Sequence, residues 1–449
     1  MNLFKLTLLL TLVFTSQIIL ADSYLFKNTN LISMKSDAVD SKQDLLIVNG
    51  KIKAIGKTGS LKLPKTVHVI DASNHYLMPG LAEMHAHVLG ESNIQTRDHY
   101  LYLYLINGVT TIRGMLGEPS HLKLRDNLAT NNTLGPRLIT SGPSFNGNSI
   151  HSVKQAKEKV KAQVNAGYDF LKLHPGLSRE EFIAIADEAH SHNITFGGHI
   201  PDEVGVDLAL AKKQATIDHL DQFFRPLFAD IHRDKQSQNQ QFFGINFVAY
   251  VDSNKIEAFA KQFAKSDSWL VPTETLMDNL ANDVSGQDLA ARPEMQYVSA
   301  QTVKDWIDAK AGFNAPKTIR QDFLDYRALL LKAIQQHHGK ILLGSDAPQI
   351  FNVPGFSIHR ELKLMVDRGL TPYQALKTGT VNVANFLNLS DQIGTLEVGK
   401  NAEMIMLSNN PLDKIENSYS IQGVFHNGIW TDKQAILQYL KNYLAKHAE

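Results

Sequence analysis

The sequence predicts an α/β protein, a (β/α)8 TIM barrel with a small β-sandwich domain formed from both termini. Two observations predict it: short apolar runs alternate with amphipathic ones eight times through the middle of the chain, and a denser strand texture is confined to the two ends. A third observation is one of placement. The residues able to hold a metal fall near the C-terminal ends of five of the eight runs, where a barrel of this kind builds its site.

Taken in order, residues 1–21 read as a secretory signal peptide, with Lys5 near the start, an apolar stretch from Leu6 to Leu20, and Ala21 as the small exit residue before Asp22. About 15 residues that include Thr, Ser and Gln fall short of the ~20 apolar ones that a bilayer requires. The expectation is therefore cleavage after Ala21 and a soluble exported product without stable membrane insertion, periplasmic if the source is Gram-negative. The 449 residues contain no Cys, which excludes disulfides, thiolate ligands and a lipid-modified cysteine. Lys+Arg and Asp+Glu both number 45, so nothing in the charge points to nucleic acid or an anionic surface. A small-molecule substrate is the expected partner, and the sequence leaves the oligomeric state open, a homo-oligomer included.

From Tyr24 to Ile70 short alternating runs are separated by Asn49-Gly50 and Lys57-Thr58-Gly59, both turn signals, and a similar texture returns in Glu403 to Leu407 and Gly423 to Phe425 before Asn427-Gly428. Residues 22–78 and 394–435 are accordingly expected to form the small β domain, 79–393 the barrel, and 436–449 a C-terminal helix. Within the barrel the strands are read as the stretch ending at His87, then Gly108 to Arg113, Arg137 to Ser141, Tyr168 to His174, Ile194 to Ile200, Thr216 to Leu220, Trp269 to Thr273 and Lys340 to Asp346. Ser152 to Ala166, Ser178 to His192 and Ile319 to His337 repeat apolar residues every three or four positions, as core-facing helices do. An open doubly wound sheet is the rival, and no glycine-rich nucleotide loop supports it.

The first barrel strand ends in His85 and His87. In an extended chain positions i and i+2 share a face, so both imidazoles aim at one point, half of a site for a divalent metal such as zinc. The same pair could be two polar side chains on a wet face. Lys172, His199, His219 and Asp346 occupy comparable strand ends, and each alone could be a satisfied rim residue or, for Asp346, a helix cap.

The motifs MPGLAEMHAH, GVTTIR, GPRLITSG, DFLKLH, GGHI, TIDHL and LLGSDA, with the tail GLTPYQALKTGTVNVANFLNL and IGTLEVGKNAEMIML, resemble the metal-dependent amidohydrolase superfamily, in particular its binuclear, prolidase-like branch of imidazolonepropionase-related hydrolases. The resemblance spans about residues 45 to 430. It implies two divalent metal ions, zinc being the expected metal, with His85 and His87 on one, His199 and His219 on the other, a carboxylated Lys172 bridging both, and Asp346 as a ligand and the general base. It further implies hydrolysis of a C–N bond, that of a dipeptide or N-acyl amino acid, by a metal-bridged hydroxide. An esterase or lactonase on the same metals, or a non-catalytic periplasmic binding protein, are the alternatives.

Substrate contacts are expected from His151 in the loop after strand three, from His174 two residues beyond Lys172, and from Arg113 and Arg225, whose guanidinium groups could pair with a carboxylate. Leu276 to Lys317 reads as a long polar loop able to act as a lid, with Met295, Tyr297 and Trp306 facing the pocket.

Overall fold

The computed structural model describes residues 23–447, so the leader expected at 1–21 and the last two residues of the expected C-terminal helix lie outside the described residues. Among the described residues no helix is long and apolar enough to cross a membrane. In chain order the strands are β1 (Ser23–Leu31), β2 (Asp40–Val48), β3 (Lys51–Lys57), β4 (His68–Asp71), β5 (Tyr76–Pro79), β6 (Leu81–Ala86), β7 (Val109–Gly114), β8 (Arg137–Thr140), β9 (Phe170–Leu173), β10 (Thr195–Gly198), β11 (Thr216–Asp218), β12 (Trp269–Val271), β13 (Met404–Leu407), β14 (Ile421–His426) and β15 (Ile429–Asp432). Helices separate most of those from β6 onward, which makes the fold mixed α/β.

The strands of the two ends bond into one eight-stranded sheet in the order β15-β14-β13-β5-β1-β2-β3, with β4 added beside β1. Asn49-Gly50 and Asn427-Gly428 close its hairpins with φ of 53° and 70°, and of 47° and 83°, the left-handed pairs that a tight primed turn demands. The ring of Phe26 on β1 lies 6.3 Å from that of Phe425 on β14 and 5.0 Å from that of Trp430 on β15. Two strands separate β1 from β14 in the sheet order, and a flat sheet would hold such rings roughly 14 Å apart at 4.7–4.9 Å per strand. The sheet therefore curls over its own core of Phe26, Leu45, Ile47, Leu77, Met404 and Phe425. Where the sequence suggests two stacked sheets, direct pairing of β5 with both β1 and β13 joins the halves into one.

The expected opening strand divides at Pro79-Gly80, its first half joining the terminal sheet as β5 and its second the parallel set as β6. Gly80 N donates to Glu403 O at 2.9 Å, and a Cβ there would sit 2.3 Å from Thr110 Oγ1. Only glycine lets the chain cross from one sheet to the other at this point.

The parallel strands run β6-β7-β8 and β9-β10-β11-β12. Parallel bridges continue the bonding from Ser141 to Phe170, from Leu270 to Ile341 and from Ala347 to Ala86. The segment 340–347 enters only through such contacts, with Leu342 N donating to Leu270 O and Met84 N to Leu343 O. Local chemistry sets the helices between: Ser152 caps Val153–Ala166, which stops at Gly167 in the left-handed region, and Ser178 with Glu181 forms a capping box on Arg179–Ser191. That second helix buries Phe182 and Ile185 against the strands, contributing about 1.5–3 kcal/mol for each such side chain.

The stretch 276–317 is not a long loop. It carries helices Glu274–Ala281, Gly286–Ala290 and Ala300–Ala311, the last two N-capped by Ser285 and Ser299. Met295, Tyr297 and Trp306 pack these helices down instead of facing a pocket, Tyr297 stacking on Phe356 and Trp306 edge-on to Phe351. The C-terminal helix begins a little earlier than expected, at Lys433, capped by Asp432.

Candidate metal centre

The C-terminal ends of the parallel strands bring His85, His87, His199, His219 and Asp346 to one cavity of about 430 Å³, with His174 beside them. One ligand atom from each of His85, His219 and Asp346 lies within 4.8 Å of the others, and all three residues are buried. His87 Nε2 is 3.1 Å from Asp346 Oδ1, and the His199 ring is 4.7 Å from that of His219. Lys172 is fully buried beneath them, its Nζ 3.7 Å from Asp218 Oδ2. Room for that amine depends on Gly198, whose φ is +116° and where a Cβ would stand 2.7 Å from Lys172 Cδ and 2.9 Å from Nζ.

Backbone strain marks the same place. His219, Thr273 and Asp346 all hold positive φ, at 66°, 50° and 64°. Non-glycine residues pay of order 1–3 kcal/mol for such conformations, which persist where the surroundings over-determine them. At His219 the consequence is direct. Neighbours on an extended strand face opposite ways, yet both Asp218 and His219 reach the cluster, because the chain turns out of β11 at His219.

Each imidazole has an orienting partner at Nδ1. Asp218 Oδ2 is 2.8 Å from that of His85, although the pair is poorly aligned for a hydrogen bond, Asp221 Oδ2 is 2.6 Å from that of His199, Thr273 Oγ1 is 2.8 Å from that of His219, and Gln349 Nε2 is 3.3 Å from that of His87. An acceptor at Nδ1, as His85, His199 and His219 have, fixes the ring with its proton there and leaves Nε2 free, the arrangement metal-binding histidines use; Gln349 Nε2 is a donor, so in this arrangement the His87 proton sits on Nε2, facing Asp346 Oδ1. Glu83 ties the ends together, accepting from His85 N and Ser345 N at 2.9 Å and from the Ser345 hydroxyl. Burial pushes its carboxyl up to about 8.

Burial, and then the Lys172 ammonium, hold His85 well below the usual imidazole range; for His219 burial is joined by His85 and His199. Both are neutral, the form that ligates a cation. Burial alone would raise Asp346, but the imidazoles of His85 and His87 and the Lys172 ammonium outweigh it and keep the carboxyl ionised. Lys172 is itself lowered by burial, against the pull of Asp218 and Asp346. Lys172 Nζ, His174 Nδ1 and Asp346 Oδ1 are buried without hydrogen-bond partners, a condition folded proteins rarely leave uncorrected. Neutral imidazoles, an ionised carboxylate and unpaired buried polar atoms around one point fit a divalent cation. Lys172 fits with them once its neutral amine has captured carbon dioxide, since an ammonium cannot ligate while a carbamate offers two anionic oxygens.

Residues 313–431 match the model of the amidohydrolase family. Over that stretch the chain is similar to the amidohydrolase family. It is 21% identical over 397 residues to adenine deaminase 3 of Rhizobium meliloti (strain 1021), an alignment covering 85% of this chain and 54% of that protein, so the chain spans about half the length of that relative. Among solved structures it resembles bottromycin amidohydrolase, with a TM-score of 0.74 at 20% identity over 94% of this chain and 90% of the other. A Xaa-Pro dipeptidase with methionine bound in its active site gives a TM-score of 0.64 at 18% identity, over 92% and 100% of the two chains. At these identities the two structural likenesses are of fold.

Of the substrate contacts expected from the sequence, the structure brings only His174 to the cavity, its ring 5.1 Å from and stacked on that of His199. His151 sits exposed at the start of a helix, its backbone N bonded to Gln155 Oε1. Arg113 is turned inward, donating through Nε to Met84 O at 2.8 Å and facing Asp218 Oδ1 at 3.5 Å, with its guanidinium between the rings of Phe170 and Phe386. Arg225 is held by Asp202 at 3.0 Å and by the carbonyls of Gln236 and Gln238. A larger cavity of about 650 Å³ opens at the opposite strand ends, where Arg125 pairs with Asp169 and Arg137 with Glu403, and it holds none of the six expected ligands. Reading the sequence alone missed Asp218 and Asp221, although both flank His219 in IDHLD, and missed the aromatic wall of Phe242, Phe243 and Phe313.

Proposed function

We propose that this protein is a metal-dependent hydrolase that cleaves the C–N bond of an amide. The observation that carries the reading is the convergence of His85, His219 and Asp346 on one buried point, with His87, Lys172 and His199 around it, at the floor of a cavity large enough for a small substrate. The eight parallel segments, bonded on from β12 through 340–347 to β6, support a (β/α)8 barrel over 79–393, and the curled terminal sheet supports a separate small β domain.

His85, His87, His199 and His219 would hold two divalent ions, zinc in the reading favoured here, with carboxylated Lys172 between them and Asp346 on the first. When bound, such ions polarise a carbonyl and lower the pKa of water. The chain's own residues supply the rest. Asp218, Asp221, Thr273 and Gln349 keep the rings from turning, and burial keeps His85 and His219 neutral. Hydrolysis forms a carbonyl C–O bond from water and breaks the C–N bond; Asp346 can take the proton released by the attacking water and return it to the departing nitrogen. Neither step needs a covalent intermediate with the protein.

A dipeptide or N-acyl amino acid, the finer expectation, would bring a carboxylate that Arg113 and Arg225, both committed elsewhere, are not free to bind. The test is a panel of matched amides and esters run on one metal-loaded preparation beside Asp346→Asn. The expected result is amide turnover that falls by roughly a thousandfold in the variant, the middle of the range that a positioned acid-base group contributes. Turnover of esters alone would replace the reading with an esterase, and an Asp346→Asn variant as active as the parent would remove the general base.

A further inference from the structure

Above the ligand cluster the cavity wall is apolar: Phe242, Phe243, Leu276, Leu280, Phe313 and Ile350 form it, and no arginine or lysine lines it among the described residues. Cations close to the wall are engaged away from it. Lys310 Nζ donates to Asn279 O and Asn282 O at 2.7 and 2.8 Å, Arg320 pairs with Asp283 at 2.9 Å, and Arg327 is buried against Glu274 at 2.6 Å.

Phe243 is held in place at a cost. Phe242, Phe243 and Gly244 follow one another in the left-handed region with φ of 34°, 53° and 91°. The turn is pinned through Gln240, whose N donates to Asp202 Oδ1 at 2.9 Å and whose Nε2 donates to Asp221 Oδ1 at 3.1 Å, the same carboxylate that orients His199. It sets the Phe243 ring 4.9 Å from His219 and 6.1 Å from His199, and the Phe242 ring 4.4 Å from Phe313. A strained segment anchored to a ligand's own partner presents an aromatic face to whatever enters.

Resting on the hydrolase reading above, we infer that the substrate is an uncharged amide carrying an aromatic group on one side of the scissile bond, with Phe243 as the specificity-determining residue. An aromatic ring gains offset or edge contact with Phe243 and Phe313 beyond its simple burial. A free carboxylate entering the same space is stripped of water with no cation from the chain to meet it. Its one favourable place is the ligand cluster itself, where it competes with the scissile carbonyl.

The test compares N-phenylacetylglycinamide, N-phenylacetylglycine and N-acetylglycinamide, which share the bond to be cut and differ only in the carboxylate or the ring. For the metal-loaded protein the expected kcat/KM of the uncharged aromatic amide exceeds that of its carboxylate twin by about 30-fold or more, in line with an unpaired buried charge. Phe243→Ala is expected to lower the preference for phenylacetyl over acetyl by about tenfold, chiefly through KM, and Phe313→Ala, which leaves the strained turn alone, to act in the same direction. Equal or faster cleavage of N-phenylacetylglycine overturns the inference. If none of the three is hydrolysed, the hydrolase reading fails by itself and calorimetric binding decides the class: tighter binding of the uncharged aromatic ligand supports it, and equal or tighter binding of the carboxylate overturns it.

Discussion

Lys172 shows how far a single residue depends on its surroundings. Its amine is buried, lacks a hydrogen-bond partner and lies 3.7 Å from Asp218, and the space it occupies exists because residue 198 has no side chain. Gly198→Ala would place a methyl 2.6 Å from Leu173 O as well as against the lysine, at a φ of +116° that alanine avoids. The expected outcome is a loss of roughly 1–3 kcal/mol of stability together with displacement of Lys172. Thermal unfolding and activity of the purified variant check this, and parent-like values in both would show that the site adapts around the lysine. The histidine and aspartate positions were legible in the sequence because strand ends repeat. Asp218 was not, since alternation would turn it away from His219, and only the positive φ of His219 lets neighbouring residues serve one site.

At the level of elements, the helix Phe356–Asp367 docks through a buried imidazole. His359 Nε2 lies 3.0 Å from Asn107 O, which can only accept, so Nε2 carries the proton and Nδ1, 2.9 Å from Ser418 Oγ, accepts from the hydroxyl. Burial lowers this histidine to about 4, against the bond to Asn107. The unfolded chain takes up the proton below about 6.5 and the folded one only near 4, so stability is fully present above pH 6.5 and declines as pH falls toward 4, by on the order of 3 kcal/mol. His359→Gln should therefore lose less Tm than the parent between pH 7 and 4.5, and parallel Tm curves would contradict the assignment. Elements of strong periodicity, such as Val153–Ala166, could be read from the sequence almost to the residue. The cap over the cavity could not. Phe242–Tyr250 is short 3-10 turns with a left-handed kink and has no period to detect. The helices within 276–317 were hidden in the same way, by polar faces and short lengths.

For the whole molecule, the division of labour follows from where the chain crosses between sheets. Pro79-Gly80 ends a strand of the terminal sheet and starts the parallel strand that carries His85 and His87, so the small curled sheet runs directly into the ligand-bearing strands there, and Arg137 of β8 ties to it again through Glu403. Arrangement at this scale was readable because each half has its own texture, tight hairpin turns at the ends and strand-helix alternation between. What the texture could not convey was that β5 pairs with both β1 and β13, which turns the expected pair of sheets into one. What the converged strand ends hold is read from metal content per chain, by elemental analysis of the protein beside Lys172→Ala. Close to two equivalents are expected in the parent, and their loss from the variant. One equivalent that survives the substitution would contradict this, leaving a mononuclear site in which Lys172 has only a structural part.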